Sequence, residues 1–332
     1  MDSVNAHSLE STQKSINKEV TPNNEYILKK VLREGEFATV HLCVDKNGTE
    51  KIIKFLDEKS YAAEMNMINE HLNTIKSHFN FNVSIQSFDR FNNILDNGRI
   101  EGMKYPFIVI EKLGDNLNDI RKECKNYQVE TMTAIRLLID ALSIIEYLHN
   151  LGYVHQSIKP SSFCCRIDSG KKFPALILTN FETCSVFSDK ESDNKENERL
   201  VKFGKKNFKY CSINQHYKEQ IYQPKDDIES WCYIGILLFE GSLPWIYKDT
   251  EHEKEIIDLK DSLTQVDSDV FYEKTPIFFR EFIYKVRKDP TGVDIGEFNN
   301  TMMKMISKFS ECLFKKETNE KVRERPKMAS WF

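Results

Sequence analysis

Lys54 and Glu64 are oppositely charged and stand ten positions apart. Lys54 closes a strand-like run and Glu64 falls in the helical stretch that follows, so the two could pair. Upstream, Gly35 sits in Val31-Leu32-Arg33-Glu34-Gly35-Glu36-Phe37-Ala38-Thr39-Val40. A glycine lets a backbone approach phosphate oxygens closely. Arg33 and Ala38 flank it, and the carboxylates of Glu34 and Glu36 would repel a phosphate. Further on come His155-Gln156-Ser157-Ile158-Lys159-Pro160 with Ser162, and then Thr179-Asn180-Phe181-Glu182. Serine is not a base near neutral pH. Asparagine offers a hard cation one uncharged oxygen where carboxylate is preferred. The chemistry in view is the handling of a phosphorylated ligand, with weak means for a base or a metal.

The elements that must position these groups follow from periodicity. Residues 39–44 alternate, with Val40, Leu42 and Val44 on one face, as a half-buried strand does. Asp45-Lys46-Asn47-Gly48 is a turn signal, and residues 51–55 return as a second strand. Residues 62–75 read as a helix and 107–110 as a short strand leading to Gly114. Ala134, Leu138, Ala141, Ile145 and Leu148 fall at helical spacing up to His149. Residues 163–165 and 175–178 are strand-like around the turn Asp168-Ser169-Gly170. Residues 188–199 form a charged insertion. Residues 228–239 are apolar all round, as in a helix at the centre of a lobe. A strand-rich first part and a helix-rich second part predict an α+β architecture of two lobes.

The 332 residues suffice for one large domain or two lobes. A net charge of -4 gives no reason to expect nucleic acid or an anionic membrane as partner. The eight cysteines show no zinc-ligand spacing and read as reduced core thiols. Residues 1–24 are polar, without a signal-peptide core, and no apolar run reaches membrane-span length. The expected location is intracellular, cytoplasmic or nuclear. Oligomeric state is not legible.

Taken in order, the strings resemble a protein kinase. Residues 155–162 resemble the catalytic loop His-Arg-Asp-x-Lys-Pro-x-Asn, with Gln156, Ser157 and Ser162 in place of Arg, Asp and Asn. Residues 176–182 resemble the strand entering Asp-Phe-Gly, with Asn180 and Glu182 in place of Asp and Gly. Lys209-Tyr210-Cys211-Ser212-Ile213-Asn214, Asp226-Asp227-Ile228-Glu229-Ser230 and Gly241-Ser242-Leu243-Pro244-Trp245 resemble the casein kinase I superfamily, which carries Ser-Ile-Asn where other kinases carry Ala-Pro-Glu. Leu113-Gly114 with Asn116-Leu117 is similar to its hinge after a gatekeeper at Ile110. Residues 279–284 are more weakly similar to the tau-tubulin kinase branch. The resemblance spans about residues 26–310.

It implies a bilobal protein kinase-like fold, with a small β-rich N-lobe at residues 25–113 and a larger helical C-lobe at 114–310. A flexible tail at 1–24 and a basic tail at 311–332 flank this domain. It implies a nucleotide site of Gly35, Val40, Lys54, Glu64, Ile110 and Leu113, catalytic positions at Ser157 and Lys159, and metal positions at Ser162 and Asn180. Ser157 stands where the family's base aspartate stands, and losing a positioned base costs about 10²–10⁴-fold in rate. ATP binding is expected to be weak, and magnesium lacks its usual charged ligands. His155, Phe181 and Asp227, which hold the family's large lobe together, remain, as do Lys54 and Glu64. The residues lost are those that touch metal or the transferred proton. The expectation is a pseudokinase that binds a protein partner. The alternatives are a weakly active Ser/Thr kinase with a protein substrate, or a nucleotide-free module. Lys202, Lys205, Lys206 and Lys209 read either as a solvated loop or as an anion site.

Overall fold

The computed structural model describes residues 25–35, 37–79, 90–166, 175–187, 207–217, 222–263, 272–288, 300 and 304. Both tails, the 168–170 turn, the 188–199 insertion, Glu36, Lys202, Lys205, Lys206 and Cys312 lie outside them.

The first lobe is one antiparallel sheet. Its strands are β1 (Tyr26–Glu34), β2 (Ala38–Asp45), β3 (Glu50–Leu56), β4 (Ile94–Gly98) and β5 (Phe107–Glu111), in the order β1-β2-β3-β5-β4. The β2–β3 turn forms where expected. The Asp45 side chain accepts the backbone N–H groups of Asn47 and Thr49, both at 2.9 Å. Gly48 supplies the left-handed conformation, at φ 76°. Tyr26, Cys43, Ile53, Phe55, Phe107 and Val109 cluster together, while Ala38, Leu56, Ile108 and Ile110 form a second cluster. Alternate residues of β3 and β5 thus belong to different clusters, and both faces of the sheet are covered. Strand β2 forms where the alternation predicts it, with Val40, Leu42 and Val44 half-buried on one face and His41 and Cys43 buried on the other.

Helix α1 (Glu58–Phe79) follows β3 directly. Asp57 caps it, accepting from the N–H groups of Lys59 at 3.0 Å and Ser60 at 2.9 Å. The short run from Lys54 through this cap sets Glu64 one and a half turns into α1, facing back toward β3.

The second lobe is mainly helical: α2 (Leu117–Glu123), α3 (Thr131–Asn150), α4 (Pro224–Glu240), α5 (Glu253–Ser262) and α6 (Ile277–Lys288). Short strands β6 (Tyr153–Val154) and β9 (Ser185–Val186) pair, as do β7 (Phe163–Cys165) and β8 (Leu176–Leu178). Helix α4 is buried from Asp226 to Phe239, as its all-round apolarity predicts. It starts at Pro224 and ends at Gly241, whose φ of 79° gives the left-handed cap. Its Gly235 permits close approach of α6, since an added β-carbon would lie 2.1 Å from the Phe279 ring. The seven described cysteines are free thiols. No helix among the described residues is long and apolar enough to cross a membrane.

Candidate active site

The loop between β6 and β7 is held from below by α4. Asp227, wholly buried, accepts from the backbone N–H of His155 at 2.8 Å and of Gln156 at 3.0 Å. His149 Nε2 at 3.0 Å and the Tyr222 hydroxyl at 2.6 Å complete its shell. Burial works to raise the Asp227 carboxyl, but His149 and these other donors hold it below its usual value. His155 is also wholly buried. Its Nε2 lies 3.0 Å from the Thr179 carbonyl, and its Nδ1 accepts the Ser157 N–H at 3.2 Å. One ring nitrogen donates and the other accepts, which is a neutral imidazole, and burial lowers its pKa accordingly. Phe181 packs 5.4 Å from this ring and 5.1 Å from Phe91.

The positions that would serve a metal are hydrogen-bonded to the backbone. Ser162 is buried, and its hydroxyl donates to the Ser157 carbonyl at 3.1 Å. Asn180 takes the left-handed conformation, at φ 70° and ψ 57°, and its Nδ2 donates to the Ser161 carbonyl at 3.4 Å. Ser157 is half-buried. Among the described residues no group of three or more His, Cys, Asp or Glu could hold a metal ion. Ser162 and Asn180 offer a metal only neutral oxygens, where magnesium is usually held by one or two carboxylates with water and phosphate.

Four charges gather where β3, α1, β1 and the turn after β8 meet. Lys54 donates to both oxygens of Glu64, at 2.7 and 2.8 Å. Glu182, on the Phe181–Thr183 turn, places Oε1 3.7 Å from Lys54 Nζ and 2.8 Å from Arg33 Nη2. Lys54, Glu64 and Glu182 are 2%, 3% and 8% exposed. Burial raises the Glu64 carboxyl, against the pull of Lys54. Burial also acts to raise Glu182, but Lys54 and Arg33 more than offset it and hold that carboxyl below its ordinary range. Two cations and two carboxylates balance.

A cavity of about 310 Å³ opens beside this cluster. Of the sequence-predicted positions, Gly35, Ser157 and Lys159 line it, and Arg33 and Glu182 line it beside them. Asn207 also lines it, 8% exposed, with no partner for its Oδ1 among the described residues. Val40, Ile110 and Leu113 are not in its lining. Val40 and Ile110 instead join Ala38, Leu56 and Ile108 in the apolar cluster of the sheet, and Leu113 is half-buried beyond β5. Nor are Ser162 and Asn180 in its lining.

Comparison with known proteins bears on what this arrangement is. The chain is 29% identical to the serine/threonine-protein kinase spe-6 of Caenorhabditis elegans over 196 residues, which is 58% of this chain and 50% of the relative. It is 27% identical to a probable serine/threonine-protein kinase of Dictyostelium discoideum over 141 residues, 42% of this chain and 28% of the relative. The chain carries a protein kinase-like domain. It matches half or less of the length of these curated relatives. No protein-family model matches it.

In this kinase-like domain, three of the strings noted in the sequence lie against one another. Ser212 Oγ donates to Asp226 Oδ1 at 2.7 Å, and the Ile213 N–H donates to Glu229 Oε1 at 3.0 Å. Trp245 Nε1 donates to the Lys209 carbonyl at 2.7 Å. Lys209 Nζ in turn donates to the Ile246 carbonyl, so its ammonium is directed into the fold. Sequence reasoning missed the Arg33–Glu182 pair. It flagged each residue as a departure, but not that the two departures carry opposite charge, the one signal that could have joined them. It also missed Tyr222 and His149 as partners of Asp227, and Asn207 in the cavity.

Proposed function

We propose that this chain is a pseudokinase of casein kinase I type, a kinase-like domain that works by binding a protein partner, as scaffold or regulator, without phosphotransfer. The observation that carries the reading is the state of the metal and base positions. Ser157 replaces the base, and the Ser162 and Asn180 side chains donate to the Ser157 and Ser161 carbonyls of the loop between β6 and β7. Phosphoryl transfer depends on metal-borne charge and positioning, and these three residues supply neither. The scaffold around them is complete, with Asp227 holding the loop and Lys54 holding α1. Such a domain can present a surface to a partner while its cleft stays silent. Thermal melting with ATP, with and without magnesium, tests this. A magnesium-dependent rise in Tm at millimolar ATP would overturn it.

A second reading, a weakly active Ser/Thr protein kinase, draws on one observation. The Lys54–Glu64 pair is formed at 2.7 Å, as a phosphate-gripping lysine requires. Radiolabelled ATP with an acidic protein substrate separates the two readings, with Lys54→Met as control. Incorporation above that control would favour the active kinase, whereas incorporation that persists in Lys54→Met would mark a contaminant.

A further inference from the structure

Arg33 and Glu182 stand where the kinase pattern has two glycines, and they are 149 residues apart. Glu182 Oε1 lies 2.8 Å from Arg33 Nη2 and 3.7 Å from Lys54 Nζ, so one oxygen faces two cations. Both Arg33 and Glu182 line the cavity beside the catalytic loop. An anion entering that cavity would be drawn to the same two cations. A carboxylate carried on the chain reaches them first, because it loses no translational freedom on binding and acts at a high effective concentration.

We propose that Glu182 is a built-in occupant of the phosphate position. Its carboxylate neutralises Arg33 and Lys54 in place of a nucleotide's phosphates, and it joins β1 of the small lobe to the turn after β8 of the large lobe with no ligand bound. Arg33 and Lys54 thereby form a latent, metal-independent site for a polyphosphate, open only when Glu182 loses its charge. The proposal rests on the pseudokinase reading, in that it supplies what keeps nucleotide out. It also explains why two glycines could be given up together. A bulky cation and a bulky anion at these positions satisfy each other, whereas Glu182 without Arg33 would leave a buried carboxylate beside a Lys54 already engaged by Glu64.

The test uses the full chain and sodium tripolyphosphate in EDTA as probe. Wild type, Arg33→Ala, Glu182→Gln and the double variant are melted with and without it. Without probe, each single variant is expected to lower Tm by about 2–4 °C, with the double variant well short of the sum. With millimolar probe, Glu182→Gln is expected to gain at least about 2 °C, while wild type and the double variant stay put. Should Glu182→Gln not fold, Glu182→Gly, which carries the family's own residue, takes its place with the same expectations. Probe that shifts wild type as far as the Glu182 variant would overturn the proposal, and so would a Glu182 variant that ignores the probe. A rise of wild-type Tm with magnesium and ATP would instead strike the pseudokinase reading, leaving the probe response to judge Glu182.

Discussion

Asp227 on α4 holds the backbone N–H of His155 at 2.8 Å, so a helix in the middle of the large lobe sets the path of the loop that lines the cleft. Four donors converge on this one buried carboxylate. Asp227→Ala would strand them all away from water. The expected loss is at least about 3 kcal/mol of the 5–15 that a domain commonly has. Urea unfolding of Asp227→Ala measures it, and a midpoint within error of wild type would refute the anchoring role.

Lys54→Met is the usual way to silence a kinase, but here it should also destabilise the fold. It leaves Glu64 buried without its cation, and leaves Glu182 with Arg33 alone. Breaking a buried pair on one side costs about 3–5 kcal/mol. Adding Glu64→Gln removes the stranded charge and should recover part of that stability. A Lys54→Met protein as stable as wild type would contradict the buried four-charge cluster.

Gly235→Ala tests the contact between α4 and α6. The new methyl would meet the Phe279 ring at 2.1 Å. Overpacking of this kind costs about 1–3 kcal/mol, enough to outweigh the gain of about 1 kcal/mol in helix propensity. Phe279→Leu in the same chain should relieve it. Thermal melting of the single and double variants would show a deeper loss in the single one.

His216 predicts a dependence on pH. Its Nε2 lies 3.1 Å from the buried Lys260 ammonium and its Nδ1 2.9 Å from Glu253. Burial and Lys260 push its pKa down to about 4. In the unfolded chain it titrates near 6.5. Between these values the unfolded chain holds a proton that the folded chain refuses. Stability therefore falls as pH drops from 6.5 toward 4, by up to about 1.4 kcal/mol per pH unit. Asp226, which burial raises to about 6, acts in the opposite sense below that pH. His216→Asn leaves Asp226 in place, so stability should then rise as pH drops from 6 to 5, where in the wild type the two groups oppose each other. An unchanged slope would show that His216 does not carry it.

Ser157→Asp restores only the residue type of the base. Ser162 and Asn180 remain directed at backbone carbonyls, so radiolabel transfer should stay at the Lys54→Met background. Transfer clearly above it would mean that the base alone was missing.

What the sequence made legible were the parts written locally. Lys51 to Phe55, the Asp45 turn and the long α3 stripe each declare themselves within a few residues. The candidate site was legible as an ordered set of short strings, because the loop residues 155–162 and 179–182 sit close together in the chain. Two strands escaped for physical reasons. β1 interleaves Lys29, Lys30 and Arg33 with its apolar residues and is largely exposed, so it shows no clean alternation. β4 reads Ile94-Leu95-Asp96-Asn97-Gly98, the composition of a turn, and becomes a strand through its pairing with β5. The Arg33–Glu182 pair escaped because nothing local links residues 149 apart. It exists only once β1 is folded over the turn after β8.

That same pair imposes an order on change. Consider a chain with glycine at both positions, and take one step at a time. Placing Glu182 first would set a second carboxylate beside Lys54, close to the buried Glu64. Placing Arg33 first adds only a cation whose side chain is 37% exposed and can reach water. The tolerable road runs through the arginine, and it is harder to walk back than forward. Arg33→Gly should therefore harm this protein more than Glu182→Gly, an asymmetry that two melting curves can read.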